Sequence, residues 1–214
     1  MKKGFFMTFE GIDGCGKGTQ IKNLRQLLEK LNIDSFFIRE PGGSPICEKI
    51  RDIILDKSND DITDISEMLL FAASRATLVE KYIKPALEMG KIVVCDRFVD
   101  SSIAYQGGAR GLGVELVESV NKIALNGLYP DLVVLLDLDG SVGAKRNQQM
   151  GGKEDRIELE GIAFQNKVRQ TYLEIARKNP DKYLIIDASK PIEVIFDLIV
   201  NELKNRGVIN YVGL

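Results

Sequence analysis

FFMTFEGIDGCGKGT, residues 5–19, decides the fold of this 214-residue chain. Phe5 to Glu10 is a short apolar run with the look of a buried strand. It passes directly into Gly11-Ile12-Asp13-Gly14-Cys15-Gly16-Lys17-Gly18-Thr19, a G-x-x-x-x-G-K loop that opens a helix. Glycines let successive backbone N–H groups turn inward around an anion, the helix N-terminus adds partial positive charge, and Lys17 reaches the outer phosphates. Every residue from Gly11 to Thr19 is therefore expected to cradle a nucleotide's phosphates. Gly18 stands where a Ser or Thr hydroxyl normally touches Mg²⁺, and Thr19 is the nearest hydroxyl that could replace it. Cys15 reads either as a small residue filling the loop or as a thiol made reactive by the helix N-terminus.

Outward from this loop, strand-like runs alternate with helix-period segments, which is the α/β pattern. Strands are expected at Phe5 to Glu10, Asp34 to Ile38, Ile92 to Asp96, Leu132 to Asp137 and Tyr183 to Asp187, and together they suggest a parallel sheet. Helices are expected over Lys17 to Leu31, Ile46 to Leu55, Ile65 to Glu88, Val114 to Asn126, Ile157 to Lys178 and Ile192 to Asn205. In the third of these, Ile65, Met68, Leu69, Ala72, Ala76 and Val79 form an apolar stripe that faces either the sheet or another subunit. Asn147 to Asp155 (NQQMGGKED) offers no apolar face and reads as a long loop, of the kind that serves as a lid. The last eight residues, Gly207 to Leu214, are expected to fray.

Composition narrows the chemistry. Twenty-nine Lys plus Arg against 31 Asp plus Glu give a net charge of −2, so no basic field exists for a nucleic-acid backbone. The chain has no histidine, which removes His bases, Ser-His triads and His-bound metals. Cys15, Cys47 and Cys95 are far apart and form no C-x-x-C pair, so a reducing, cytoplasmic setting is expected rather than a disulfide framework or a zinc site. The N-terminal apolar stretch ends at Glu10, too short for a signal segment or a membrane span.

A second acidic group suits a metal near the phosphate loop, and Ile92 to Asp96 delivers Asp96 at a strand end with Arg97 beside it. Further polar groups gather in what read as loops, Arg39 to Gly43 and Asp100 to Gly108. Ligands of open α/β sheets bind beyond the carboxyl ends of the strands, and two facing sites are implied.

Six segments in order resemble the bacterial thymidylate kinases of the P-loop nucleoside-monophosphate kinase family. They are GIDGCGKG-T, REPGG at 39 to 43, LLFAASR at 69 to 75, DRFVDSSIAYQG at 96 to 107, YPDLVVLLDLD at 129 to 139 and DRIE at 155 to 158. The resemblance implies one domain over 1–214, with a five-stranded parallel sheet, helices on both faces and a mobile lid at about 143–156. It also implies a homodimer that transfers the γ-phosphoryl group of ATP to dTMP with Mg²⁺. Carried over by position, Asp13 approaches the acceptor's sugar and phosphate, and Glu40 lies near the acceptor and the metal's water shell. Asp96 and Thr19 complete the metal's surroundings. Arg51 and Arg97 hold the acceptor phosphate, Phe71 stacks on thymine, and Arg75 hydrogen-bonds a pyrimidine carbonyl. Ser102 and Gln106 read the base edge, and Tyr105 closes the sugar pocket. Lys17 and Arg97 serve the transfer, as do lid cations: Asn147, Gln148 and Gln149 occupy much of the stretch where relatives place arginines, which leaves Lys145, Arg146, Lys153 and Arg156, with Arg146 and Lys153 the first choices.

Two other readings compete for the same residues. Gly16 to Gln20 is also reminiscent of adenylate kinases, against which Phe71, Arg75 and Ser102 to Gln106 stand. A regulatory GTPase needs an N-K-x-D reader, and neither Asn121-Lys122-Ile123-Ala124 nor Asn166-Lys167-Val168-Arg169 supplies its Asp.

Overall fold

A computed structural model describes residues 4–149, 151 and 156–210. Five strands, β1 (Phe5–Glu10), β2 (Ser35–Arg39), β3 (Ile92–Asp96), β4 (Leu132–Asp137) and β5 (Tyr183–Asp187), form one parallel sheet in the order β2-β3-β1-β4-β5. β1 is central, with Thr8 opposite Cys95 on one side and Val133 on the other. The chain thus leaves the sheet in opposite directions on either side of β1, and the loop after β1 lies in the crevice this creates.

Helices cover both faces: α1 (Lys17–Lys30), α2 (Pro45–Leu55), α3 (Asp64–Leu78), α4 (Lys84–Glu88), α5 (Val99–Ser102), α6 (Val114–Leu125), α7 (Gly140–Gln149), α8 (Gly161–Lys178) and α9 (Ile192–Asn205). Strand side chains alternate between the two covers. Met7, Phe9, Ile92 and Val94 pack with Leu24 and Leu28 of α1 and Ile195 and Ile199 of α9, while Phe6, Val93 and Cys95 pack with Leu78, Val79, Ile83 and Val117. Helix starts follow their capping chemistry. Ser44 Oγ accepts from Cys47 N before Pro45, and Thr63 Oγ1 accepts from Ser66 N before Asp64 and Glu67. No helix among the described residues is long and apolar enough to cross a membrane.

Several departures from the sequence reading bear on the site. β2 begins one residue later than expected, at Ser35. The stretch Asp100 to Gly108 is helical rather than a loop: α5 widens at Ile103–Ala109 into π-type turns, closed by the bond from Arg110 N to Tyr105 O at 2.9 Å. Gly108 permits this against α8, because a Cβ there would stand 2.0 Å from Thr171 Oγ1. Asn147 to Gln149 likewise end α7 instead of opening a loop; Met150, Lys153 and the rest of 152–155 lie outside the described residues, as do Tyr211 to Leu214. The expected helix from Ile157 starts as a 3₁₀ turn at Glu158–Glu160 and becomes α-helical at Gly161. The apolar stripe of α3 divides: Met68, Ala72 and Val79 are buried, but Ile65 and Leu69 are about half exposed.

The first turns of α7 rest directly on the phosphate loop. A Cβ at Gly14, where φ is +75°, would meet Gly143 O at 2.3 Å, and a Cβ at Gly143 would meet Asp13 O at 2.5 Å.

Candidate active site

Strand β1 ends in the phosphate loop, and α1 starts at Lys17 behind Gly16, whose φ of 98° only glycine adopts without strain. Lys17 Nζ is folded onto the loop, donating to Gly11 O and Ile12 O at 3.0 Å each and to Cys15 Sγ at 3.5 Å. Cys15 is itself buried beneath the loop, the arrangement of a filler and not of an accessible thiol. Thr19 is exposed on the first turn of α1.

Beside the loop lies a cavity of about 180 Å³ lined by Asp13, Glu40, Pro41, Arg51, Leu55, Phe71, Arg75, Arg97, Phe98, Ser101, Ser102, Tyr105, Gln106 and Ile157. It gathers every residue expected to hold the acceptor: Asp13, Glu40, Arg51, Phe71, Arg75, Arg97, Ser102, Tyr105 and Gln106. They arrive from six parts of the chain: the carboxyl ends of β1 (Asp13), β2 (Glu40) and β3 (Arg97), the helices α2 (Arg51) and α3 (Phe71, Arg75), and α5 with its π-type extension (Ser102, Tyr105, Gln106).

Arg97 joins cavity to loop. Its φ of +67° turns the chain back after β3, and its guanidinium donates from Nη2 to Asp13 Oδ1 at 2.5 Å and from Nη1 to Gly11 O at 3.0 Å. Tyr105 Oη donates to the other Asp13 oxygen at 3.2 Å, and the Arg97 guanidinium lies over the Tyr105 ring. Burial pushes the Asp13 carboxyl up, but the charges of Arg97 and Lys17 outweigh it and hold the group below its usual range.

Arg75 is 1% exposed and spends its donors inside the protein. Nε and Nη2 meet Glu40 Oε2 at 2.8 and 2.6 Å, Nη1 donates to Ser102 Oγ at 3.0 Å and to Asn121 Oδ1, and Nη2 donates to Phe98 O at 3.0 Å. A guanidinium so occupied has no N–H to spare, so a pyrimidine carbonyl would have to share one with Ser102 or Asn121. Burial pushes the partner carboxyl, Glu40, up to about 7 against the pull of Arg75.

Two carboxylate oxygens among the described residues are buried without a hydrogen-bond partner, Glu40 Oε1 and Asp96 Oδ1. Unpaired carboxylate oxygens at the carboxyl ends of β2 and β3 fit Mg²⁺, which keeps several waters and takes one or two protein carboxylates with substrate phosphates. Among the described residues there is no group of three or more acidic, Cys or His side chains that could hold a metal ion by itself.

Of the two lid cations expected to serve the transfer, Arg146 donates from Nη1 to Ala188 O at 3.1 Å, beyond β5 and outside the acceptor cavity. Lys153 lies outside the described residues. Sequence reasoning also passed over several buried polar groups. Glu10 at the end of β1 accepts from Phe98 N, Ser101 Oγ and Tyr172 Oη at 2.7, 2.7 and 2.8 Å and supports the turn that carries Arg97. Glu67, Arg110 and Asn121 form the wall behind Gln106 and Arg75, together with Arg156, which the sequence reading counted among the lid cations and which instead donates to Glu67 and to Ile54 O. Their signal in the sequence was slight: Glu67 and Asn121 are polar residues within amphipathic helices, Glu10 ends a strand, and Arg110 and Arg156 lie outside the α-helices and strands.

Asp100, next to Ser101, faces the other way, into a larger cavity of about 580 Å³ that contains none of the loop chemistry. Burial, with the charges of Glu10 and Glu118, raises its carboxyl to about 7, opposed by the Tyr183 Oη bond at 2.6 Å and by Arg75. The folded state therefore keeps a proton that the unfolded chain, with a carboxyl at 3.8, releases. Stability from this group is present at low pH and is lost as pH rises from about 4 to about 7, at up to about 1.4 kcal/mol per unit. Asp100→Asn should flatten that slope; urea unfolding at pH 5 and 8 checks it, and equal slopes in both proteins would show that the carboxyl ionises freely.

Comparison with known proteins gives a consistent result. The family model described as thymidylate kinase matches residues 9–199. The chain is 46% identical over 202 residues to a thymidylate kinase of Caldanaerobacter subterraneus subsp. tengcongensis, covering 94% of this chain and 96% of that protein. It is 48% identical over 206 residues to one of Lactobacillus helveticus, covering 95% and 97%. The crystal structure of thymidylate kinase from Ehrlichia chaffeensis superposes with a TM-score of 0.76 at 32% identity, covering 94% of this chain and 99% of that one.

Proposed function

This chain belongs to the thymidylate kinase family, and from that membership we propose that the cavity beside Arg97 receives dTMP while the loop from Gly11 to Thr19 receives ATP. The reaction itself is phosphorylation of dTMP to dTDP by ATP. A nucleoside monophosphate is largely dianionic at neutral pH, so an oxygen of its phosphate attacks the γ-phosphorus as the bond to the β,γ-bridging oxygen breaks, with no protein base. What the protein must supply is alignment and charge neutralisation.

Arg97 and Arg51 hold the dTMP phosphate, and Asp13 with Tyr105 fixes the sugar side. Phe71 stacks on the base, and Ser102 and Gln106 meet its edge. Lys17 exchanges the carbonyls of Gly11 and Ile12 for the outer phosphates of ATP, and Arg146 stands on the donor side. Mg²⁺ would be held by the Thr19 hydroxyl and the Asp96 and Glu40 carboxylates, directly or through water, and would neutralise phosphate charge. Residues of about 143–156 form the lid over a single domain spanning 1–214. Half-exposed Ile53, Ile65, Leu69 and Leu116 on α2, α3 and α6 support a homodimer, and the three cysteines, all free, fit a cytoplasmic enzyme.

The observation that carries this reading is the convergence of Arg97, Asp13 and the base-reading residues on one cavity that opens at the phosphate loop. An ATP-dependent phosphorylation panel of dTMP, dUMP, dCMP, AMP and GMP tests it, with dTMP preferred. In the same assay Phe71→Ala should raise KM for dTMP about tenfold, since stacking on an aromatic ring contributes about 1 to 3 kcal/mol per base. An unchanged KM would remove Phe71 from the base site.

A further inference from the structure

A glutamine amide carries a donor at one end and an acceptor at the other, so what it reads depends on which way it is held. Gln106 is 1% exposed and lines the acceptor cavity. Its Nε2 donates to Glu67 Oε1 at 2.9 Å. A carboxylate only accepts, so the NH₂ end is fixed toward Glu67 and the carbonyl oxygen is turned away from it.

Glu67 is equally buried, at 1% exposure, and is itself clamped. Arg110 donates to it from Nε at 2.9 Å and from Nη2 at 3.1 Å, and Arg156 donates from Nη2. Arg110 is tied further to Glu160 at 2.6 Å, and Arg156 to Ile54 O at 2.9 Å. Burial pushes the Glu67 carboxyl up, but the bonds from Arg110, Arg156 and Gln106 prevail and hold it below its usual range, so it stays an acceptor at neutral pH.

Ser102, one turn earlier on the same helical stretch, is held in the complementary sense. Arg75 Nη1 donates to its Oγ at 3.0 Å, which leaves the hydroxyl proton for another partner. The wall therefore offers an acceptor from Gln106 and a donor from Ser102. Thymine presents a ring N–H beside a carbonyl, whereas cytosine presents a ring acceptor beside an amine.

We propose that Glu67, which touches no substrate, is the positioning residue for base selection: by locking the Gln106 amide it makes the cavity accept thymine or uracil and reject cytosine. This rests on the dTMP site described under Proposed function and extends it to a residue outside the cavity lining. In Glu67→Gln the neighbour both donates and accepts, so Gln106 is free to turn.

The test is kcat/KM for dTMP and dCMP in the wild type, Glu67→Gln, Gln106→Ala and the double variant. The preference for dTMP over dCMP should fall about tenfold or more in Glu67→Gln, and Glu67→Gln should add nothing in the Gln106→Ala background. Equal losses on both substrates, with the preference within about twofold of wild type, would make Glu67 a purely structural residue and overturn the proposal. A second measurement needs no altered protein: 3-deaza-dUMP, with C–H in place of the ring N–H, should bind the wild type about tenfold more weakly than dUMP, and equal binding would overturn the proposal too. An unchanged preference in Gln106→Ala alone would instead count against the base site itself.

Discussion

Replacing Arg97 by alanine should lower kcat/KM for dTMP by about 10³-fold, the scale on which an arginine stabilises a transferring phosphoryl group. No other described side chain bonds to both the loop carbonyl at Gly11 and the Asp13 carboxylate while lining the acceptor cavity. Its loss removes positive charge from the place where two anions must approach, and it leaves the half-buried Asp13 with Tyr105 and Lys17 to offset its charge. Arg97→Lys should recover part of the charge but not the fork that spans Gly11 and Asp13. Steady-state kinetics over a range of dTMP concentrations, with thermal unfolding to verify the fold, make the comparison. A loss below about tenfold would confine Arg97 to bracing the loop.

The largest effect on stability is expected from Arg75→Ala. Removing one member of a buried ion pair leaves the other uncompensated, typically at about 3–5 kcal/mol, and here Ser102, Asn121 and Phe98 O lose their donor as well. The loss should depend on pH. Burial already raises the Glu40 carboxyl to about 7, with Arg75 the main opposing influence, so without Arg75 the folded state holds the Glu40 proton more tightly still. Protonation relieves the unpaired charge, and the variant's stability is lost as pH rises from the ordinary carboxyl value of 4.5 through neutrality. Urea unfolding at pH 5.5 and 8 should therefore show the larger deficit at pH 8. A deficit that is the same at both would mean that Glu40 finds other compensation.

How much of this was legible in the sequence follows from the kind of signal involved. The strands were readable because β-branched and aromatic runs have few alternatives in a soluble chain, and four of the five have the expected bounds. The phosphate loop was readable because its spacing is set by one local job. Ile103–Ala109 was not: its Tyr-Gln-Gly-Gly reads as a turn, and it is helical because α8 and α6 pack on it closely enough to override local preference. The cluster of Asp13, Glu40, Arg97 and Gln106 was assembled from a resemblance, and composition alone would not have joined β1 to residues nearly a hundred positions away. Least legible was the buried support, Glu10 with Tyr172 and Glu67 with Arg110 and Arg156. Its partners are far apart in the chain, and each alone looks like an ordinary polar residue on a helix, at a strand end or in a connection.

The contact between Gly14 and Gly143 differs in kind from the others around the site. A crowded contact between side chains can be relieved by a second substitution that shrinks the partner. Here each glycine makes room for the other segment's backbone, since the atoms in the way are the Gly143 and Asp13 carbonyl oxygens. Neither partner has anything left to remove, so damage at either position has no reciprocal remedy at the other. The phosphate loop and the start of α7 are in this sense one unit of inheritance, changed together by moving the backbone or not at all.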